Sequence, residues 1–335
     1  MSGRAAVTSV PRWISGHYRH ITARGMLAAL AVGGVLAIGA LFGVGWIAGL
    51  RAIFSLLGNV QWQWLPLAMF FIGVSHLGYT FAYREVAQPD NGTKHPLTRV
   101  GFLVVAGFGM LIPRAGFTLD RGLWRDHGHS ESSARHSVMT IGMLEYGVLG
   151  PGAFVAAIVL LLRHYPAQSG VLTSWLIGLP AGALVTGALF LVRGKLPDNR
   201  LVRPIHQALD AVAATVRLAR SRHGVLAIGG MAVYWSADIA SLGVCLAMVG
   251  HGATLSVPAL VVAYASGYAL TRRSLPLAGA GAAEALMPFA MHWMDVALGA
   301  AVLAVFLYRL GNLWLPLAPA AAAVRWLQLA APATE

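Results

Sequence analysis

Six long apolar runs divide this sequence, and they constrain its fold more than any other feature. Each is long enough for a membrane-crossing helix, which needs about 20 residues. Charged residues make up only 11% of the chain, against about 25% in soluble domains. The sequence therefore predicts an all-α polytopic membrane protein with about six transmembrane helices. These helices are predicted at 26–50, 62–83, 137–162, 171–192, 224–249 and 296–322.

The distribution of basic residues predicts which side of the membrane each loop faces. Residues 1–25 contain four arginines and no acid, and residues 193–222 contain seven basic residues and two acids. Residues 250–257 contain no charged residue. Because Lys and Arg are enriched in cytoplasmic loops, we expect the N-terminus (1–25) and the tail (326–335) to be cytoplasmic. A single transmembrane domain at 26–325 in the bacterial cytoplasmic membrane is expected between them.

Two shorter apolar segments are interrupted by proline and predict re-entrant helical hairpins, at about 99–128 and 258–294. Each begins with about 14 apolar residues, a helix of roughly 21 Å that is too short for the ~30 Å hydrocarbon core. The span count puts the hairpins on opposite faces. Both turns contain a Pro-x-Ala-Gly sequence, which favours an inverted repeat of the kind seen in transporters. The residues of these turns are Pro113 with Gly116 and Pro276 with Gly279 and Gly281.

The second hairpin contains the charged stretch TRRSLPLAGAGAAE from Thr271 to Glu284. Pro276 ends a helix, and a non-helical turn at membrane depth requires protein or a wet cavity around it. We expect Arg272 and Arg273 to bind phosphate at its mouth, with snorkelling to the surface as the alternative. Glu284 is expected to face a polar groove.

The first hairpin contains three arginines at helical spacing, namely Arg114, Arg121 and Arg125. They predict a basic stripe for an anionic head group, with Asp120 as a charge-balancing neighbour; a solvated charged loop is the alternative. Between the spans, residues 203–222 predict an amphipathic helix on the cytoplasmic surface.

Further polar residues lie deep within the apolar spans, where each is expected to face a partner or water. We expect Glu145 to pair with Arg309, and either a groove or a purely structural ion pair would account for them. The other two residues of this group are Asp238 and Asn312.

Several classes of chemistry have no motif in this sequence. His127, His129 and His136 lie in a polar loop without a second ligand cluster, so no metal site is expected. Cys245 is the only cysteine, which excludes an intramolecular disulfide. No nucleotide-binding or hydrolase motif is present, and no cofactor is expected. The net charge of +12 suits anionic lipid head groups better than nucleic acid.

The stretch from Pro276 onward resembles the flippase-type transmembrane domain of the bacterial lysylphosphatidylglycerol synthase family. The resemblance covers about residues 25–325, but only the last 50 are specific, and Ala280 replaces the second glycine of the family's usual Gly-Gly pair. It implies translocation of lipids or polyprenyl-linked head groups between leaflets. The chain ends at residue 335, so we expect no soluble lysyl-transfer domain and no aminoacyl transfer. The matching residues are Pro276, Gly279, Gly281, Glu284, Arg309 and Trp314.

These observations predict a protein that moves an anionic phospholipid or polyprenyl-linked lipid between leaflets, as a monomer or homodimer. One alternative is a membrane-embedded acyl or glycosyl transferase, for which Asp120 and Asp126 are the available acid–base candidates. The other is a non-transporting partner subunit of a lipid-synthesis complex.

Overall fold

A computed structural model of the protein describes residues 23–86, 96–108, 130–197, 199, 201–250, 255–268 and 279–316. These residues are almost entirely helical and contain no strand. Short 3-10 turns occupy Trp62–Trp64 and Arg193–Lys195, and a π-helical turn occupies Leu310–Trp314. The α-helices are α1 (Ala23–Ala48), α2 (Leu50–Leu57), α3 (Leu65–Val86), α4 (Leu97–Phe108), α5 (Glu131–Leu162), α6 (Ser169–Val192), α7 (Arg203–Ala219), α8 (Arg222–Val249), α9 (Val257–Tyr268), α10 (Ala282–His292) and α11 (Leu298–Arg309).

Five helical segments are long and apolar enough to cross a membrane, and they correspond to five of the six predicted spans. They are Leu30–Ala48, Trp62–Val86, Ser137–Leu162, Gly170–Lys195 and Arg222–Val249. The sixth predicted span, 296–322, is represented by a shorter apolar helix at Leu298–Trp314, and residues 317–322 lie outside the described part of the chain. The all-helical class with several membrane-length helices is therefore confirmed.

Helices α3 and α8 pack with their backbones almost in contact. A Cβ atom added to Gly78 would lie 2.6 Å from the backbone nitrogen of Tyr234, and one on Gly230 would lie 2.7 Å from that of Ala82. Small residues at a four-residue spacing permit such close approach between membrane helices. Farther along the pair, His223 Nδ1 lies 2.9 Å from Glu85 Oε2. The two helices form the tightly packed centre of the bundle.

The remaining helices differ sharply in how much of their surface is covered. In the apolar stretch of α8, 61% of the residues are buried inside the protein, whereas in the apolar stretch of α6 the buried share is 0%. Leu184 and Leu191 on α6 are 75% and 88% exposed. Apolar side chains at such exposure suit a helix surrounded by lipid. Helix α6 therefore lies at the periphery and α8 in the interior.

The predicted amphipathic segment at 203–222 forms helix α7 over Arg203–Ala219, with Pro204 in its first turn. Its buried residues are Leu209, Ala211 and Ala214. Arg193 at the end of α6 donates to Asp210 at 2.6 Å, which connects α7 to the peripheral helix. Both side chains are partly exposed, so this pair contributes at most about 1 kcal/mol.

Candidate functional site

A fully buried carboxylate, that of Asp238 on α8, lies at the centre of a polar cluster between α8, α9 and α11. The hydroxyl of Tyr264 donates to its Oδ2, and the hydroxyl of Tyr308 donates to the same oxygen at 2.7 Å. Asn312 Nδ2 donates to Oδ1 at 2.8 Å. A carboxylate accepts such bonds at both oxygens, so three helices of a membrane-depth core are joined at one acid.

A second buried group, the ion pair of Glu284 and Arg309, connects α10 with α11. Arg309 Nε donates to Glu284 Oε1 at 2.7 Å, and the side chains are 6% and 0% exposed respectively. The other carboxylate oxygen of Glu284 accepts the backbone N–H of Gly281 at 2.7 Å. Glu284 therefore stabilises the N-terminus of α10, where acidic side chains are favoured, and holds the arginine at the same time.

The glycines of the PLAGAGAAE stretch have a conformational role in this arrangement. Gly279 and Gly281 have φ values of +71° and +88°, a region that side chains with a Cβ rarely adopt. A Cβ on Gly281 would also lie 3.3 Å from the Cβ and carbonyl oxygen of Leu36 on α1. The turn before α10 therefore needs glycine for its backbone angles and for its packing on α1.

The end of α11 brings both polar groups together. Tyr308 and Asn312 are four residues apart and share a helix face, from which both reach Asp238. Arg309 follows Tyr308 and faces α10 instead. Leu315 N donates to Leu310 O at 2.9 Å, the i→i+5 bond of a π turn, a feature frequent at functional sites.

One buried atom of this site, Arg309 Nη2, has no hydrogen-bond partner among the residues that the structure describes. A buried unsatisfied donor is unfavourable by about 1–3 kcal/mol, more for a charged group. Within the described part of the chain, the guanidinium therefore has an unused donor beside a buried ion pair.

The predicted pair between Glu145 and Arg309 is wrong, since Arg309 bonds Glu284 instead. Glu145 on α5 accepts the hydroxyl of Tyr79 at 2.7 Å, and its backbone oxygen accepts Trp235 Nε1 at 2.9 Å. The sequence spacing indicated that both residues lie deep in spans, but it could not indicate which neighbouring helix each one faces.

Aromatic rings surround the Asp238 cluster and extend it towards Glu145. Trp235 lies 5.9 Å from Tyr264 and 4.5 Å from Tyr234 between ring centroids. Tyr234 in turn lies 5.1 Å from Tyr79. Edge-to-face and tilted contacts at these distances are favourable. The acids at 145 and 238 are therefore separated by a continuous aromatic layer.

The structure brings together only part of the predicted site. Asp238, Glu284, Arg309 and Asn312 converge, with Gly279 and Gly281 in the adjoining turn. Glu145 lies on the other side of the aromatic layer. The predicted residues that fall outside the described part of the chain are Pro113, Arg114, Gly116, Asp120, Arg121, Arg125, Arg272, Arg273 and Pro276.

Two tyrosines of the site were missed at the sequence level, Tyr264 and Tyr308. Both are completely buried, and an aromatic residue in an apolar run reads as part of the core. The available signal was the four-residue spacing between Tyr308 and Asn312, which places a hydroxyl and an amide on one face.

The fold and the site define the class of this protein: an all-helical chain with membrane-length helices and a buried polar centre between them. No family model matches the chain, and the search of curated proteins gives no match. The resemblance to the lysylphosphatidylglycerol synthase family therefore stays a prediction from the sequence.

Proposed function

We propose that this protein moves an anionic phospholipid, or a polyprenyl-linked lipid with an anionic head group, between the leaflets of the bacterial cytoplasmic membrane. The observation that supports this most directly is the buried Nη2 donor of Arg309, which bonds to no residue in the described ranges. A guanidinium group binds phosphate through two parallel hydrogen bonds. Charged groups at this depth commonly mark a substrate pathway.

The ion pair gives the arginine a means of changing partner. Glu284 neutralises Arg309 while no lipid is bound, and its own carboxylate remains tied to Gly281 through Oε2. A phosphate that approaches Nη2 would compete with Glu284 for the same guanidinium. Arg309 then has an anionic partner at each stage, either Glu284 or the phosphate, and Glu284 keeps the N–H of Gly281 when it releases the guanidinium.

Short helices next to this pair support the second of the two proposed re-entrant hairpins, at about 258–294. Helices α9 and α10 have 12 and 11 residues, so each is roughly 16–18 Å long, well below the ~30 Å of the hydrocarbon core. They pack closely, since a Cβ on Gly267 would lie 2.7 Å from the Cα of Met287. The backbone N–H of Gln168, just before α6, donates to the carbonyl oxygen of Trp293, just after α10, at 3.0 Å. This bond connects the end of α10 with the start of α6.

The proposal is tested by transport of fluorescent anionic and zwitterionic lipids in proteoliposomes. Arg309→Lys retains the charge but loses the guanidinium fork, and Glu284→Gln removes the counter-charge that neutralises Arg309 while no lipid is bound. We expect each to lower transport of the anionic lipid by about tenfold or more, because hydrogen bonds to charged groups contribute ~1.5–3 kcal/mol. The matched control is Arg217→Lys on the exposed side of α7, which should transport normally.

Two results would contradict the proposal. Wild-type transport no faster than in empty vesicles, for every anionic lipid tried, would reject translocation and direct attention to the transferase, through product analysis with lipid-linked donors. Normal transport by Arg309→Lys would reject the role of the guanidinium.

Replacing Arg272 and Arg273 together by Gln should reduce anionic transport in the same assay, since phosphate contacts at the mouth would be lost.

A further inference from the structure

A cavity of about 620 Å³ lies between the first half of α6 and the ends of α9 and α10, away from the buried ion pair. Its size falls within the roughly 300–1,000 Å³ of small-molecule sites. No group of the Asp238 or Arg309 clusters lines it. We call this cavity the α6 slot. Its wall is formed by residues that include Gln168, Val171, Trp175, Leu179, Ser266 and Trp293.

The α6 slot runs along the first half of the helix, from its N-terminus to Leu179. From Gln168 to Leu179 the helix advances eleven residues, or about 16 Å, which is close to half of the ~30 Å hydrocarbon thickness. Trp293 lies beside Gln168, to which it is hydrogen-bonded through its backbone. Tryptophan is enriched at the membrane–water interface. The slot therefore has the depth of one leaflet.

The polarity of the slot changes along its length. Trp175 Nε1 donates to Ser266 Oγ at 2.8 Å across the middle of the slot. Ser266 accepts this bond, and no residue that the structure describes accepts its hydroxyl hydrogen, which can therefore donate to an ester carbonyl oxygen. Below this level the lining is Gly178 and Leu179, which offer an apolar surface. The described residues that line the slot include no charged side chain.

We infer that the α6 slot binds the acylglycerol portion of one membrane phospholipid, independently of its head-group charge. Bilayer lipid is the phase next to this helix, because α6 exposes its apolar outer side. The uncharged lining suits ester groups and acyl chains, and the leaflet-length dimension suits a single lipid. This inference goes beyond the proposed translocation, since it concerns lipid binding and not transport.

Four glycines on α6 provide a matched test. A Cβ atom on any of Gly170, Gly178, Gly182 or Gly187 would meet no other atom within 4 Å. Gly170 and Gly178 line the slot, whereas Gly182 and Gly187 do not. A bulky residue at Gly170 or Gly178 therefore fills the cavity. The same residue at Gly182 or Gly187 adds equal volume to the same helix outside the cavity.

The experiment is native mass spectrometry of the purified full chain after exchange into vesicles of defined phosphatidylglycerol and phosphatidylcholine content. Wild type should retain one phospholipid, with both lipids represented in the proportion of the vesicle. Gly170→Phe and Gly178→Phe should retain about tenfold less, since loss of roughly two buried methylenes suffices for that factor. Gly182→Phe and Gly187→Phe should retain lipid as wild type does. The single variants Gly178→Leu and Gly182→Leu repeat the comparison with a smaller side chain. The test therefore remains possible if one Phe variant fails to fold.

Equal retention by all four Phe variants would overturn the inference, as would retention of phosphatidylglycerol alone. Lipid retained without transport would reject the proposed translocation and leave the slot standing. Transport by a protein whose lipid retention does not depend on the slot would reject the α6 slot as a lipid site and leave the proposed translocation standing.

Discussion

Arg309 Nε lies 2.7 Å from Glu284 Oε1, and this contact joins the last turn of α11 to the first turn of α10. Because both side chains are buried, removal of one partner leaves the other charge without compensation. Since Glu284 also accepts the backbone N–H of Gly281, the ion pair holds the turn at Gly279 and Gly281 in place. This structural role is independent of the substrate.

The first prediction concerns the stability of this pair. Arg309→Gln should lower the free energy of unfolding by about 3–5 kcal/mol, because an uncompensated buried carboxylate is left behind. The double variant Arg309→Gln with Glu284→Gln should lose less than the sum of the single variants. Unfolding in nanodiscs with increasing denaturant measures both.

The control for that series is Arg193→Gln. Arg193 pairs with Asp210 at the same 2.6–2.7 Å range, but its side chain and that of its partner are 38% and 49% exposed. An exposed pair contributes at most about 1 kcal/mol. If Arg193→Gln and Arg309→Gln lower the free energy of unfolding by a comparable amount, burial of the Arg309–Glu284 pair has no energetic consequence.

The second prediction concerns the hydroxyl of Tyr308. Tyr308→Phe removes the donor to Asp238 and the acceptor for Asn312 while the ring keeps its packing on Tyr264. Interhelical hydrogen bonds in membranes average ~0.6 kcal/mol and reach ~1.7, so a loss of about 1–2 kcal/mol is expected. A double-mutant cycle with Asp238→Asn should show coupling between the two sites; additive effects would contradict a shared network.

The third prediction concerns the contact between α3 and α8. Gly78→Ala should destabilise the protein by about 1–3 kcal/mol, because the new Cβ would meet backbone atoms at 2.6 and 2.8 Å and the helices would have to separate. Gly73→Ala on the same helix is the control, since a Cβ there has nothing within 4 Å. Thermal unfolding of both variants in one detergent compares them, and an equal midpoint would argue against close packing at this crossing.

The fourth prediction concerns the need for glycine at position 281. Gly281→Ala incurs roughly 1–2 kcal/mol for its positive φ and an additional loss for contact with Leu36. Gly49 also has a positive φ, of +91°, with open space around it, but its ψ is 101° and that of Gly281 is −46°, so Gly49→Ala tests a positive φ without a close contact. Thermal unfolding gives the midpoint of each variant, and a midpoint equal to wild type for Gly281→Ala would contradict the need for glycine in this turn.

The length and polarity of the apolar runs were sufficient to predict the helical class, because a membrane helix must satisfy its backbone within one segment. The same reasoning found Asp238, Glu284, Arg309 and Asn312, since polar groups stand out in an apolar run. It gave Arg309 the wrong partner. Sequence spacing defines the face of a helix, whereas the neighbour of that face depends on how all the helices pack.

The hydroxyls of Tyr264 and Tyr308 show the other limit of sequence reasoning. A tyrosine in an apolar run can pack in a core, lie at the membrane interface or donate to a buried acid, and its local sequence is similar in each case. Only the arrangement of α8, α9 and α11 around Asp238 distinguishes them. The tight glycine contact of Gly78 with Gly230 likewise depends on a crossing point that no local pattern specifies.

The uneven burial of the helices has a consequence for how the protein opens. Helix α6 has no buried residue in its apolar window, while α3 and α8 meet backbone to backbone. Because a helix in lipid keeps its own backbone hydrogen bonds, α6 can shift relative to the bundle as an intact helix, whereas α3 and α8 cannot part without losing their close backbone contacts. Distances between spin labels should therefore be broadly distributed from α6 to α8 and narrowly distributed from α3 to α8, so that the molecule has two levels of rigidity within one bundle.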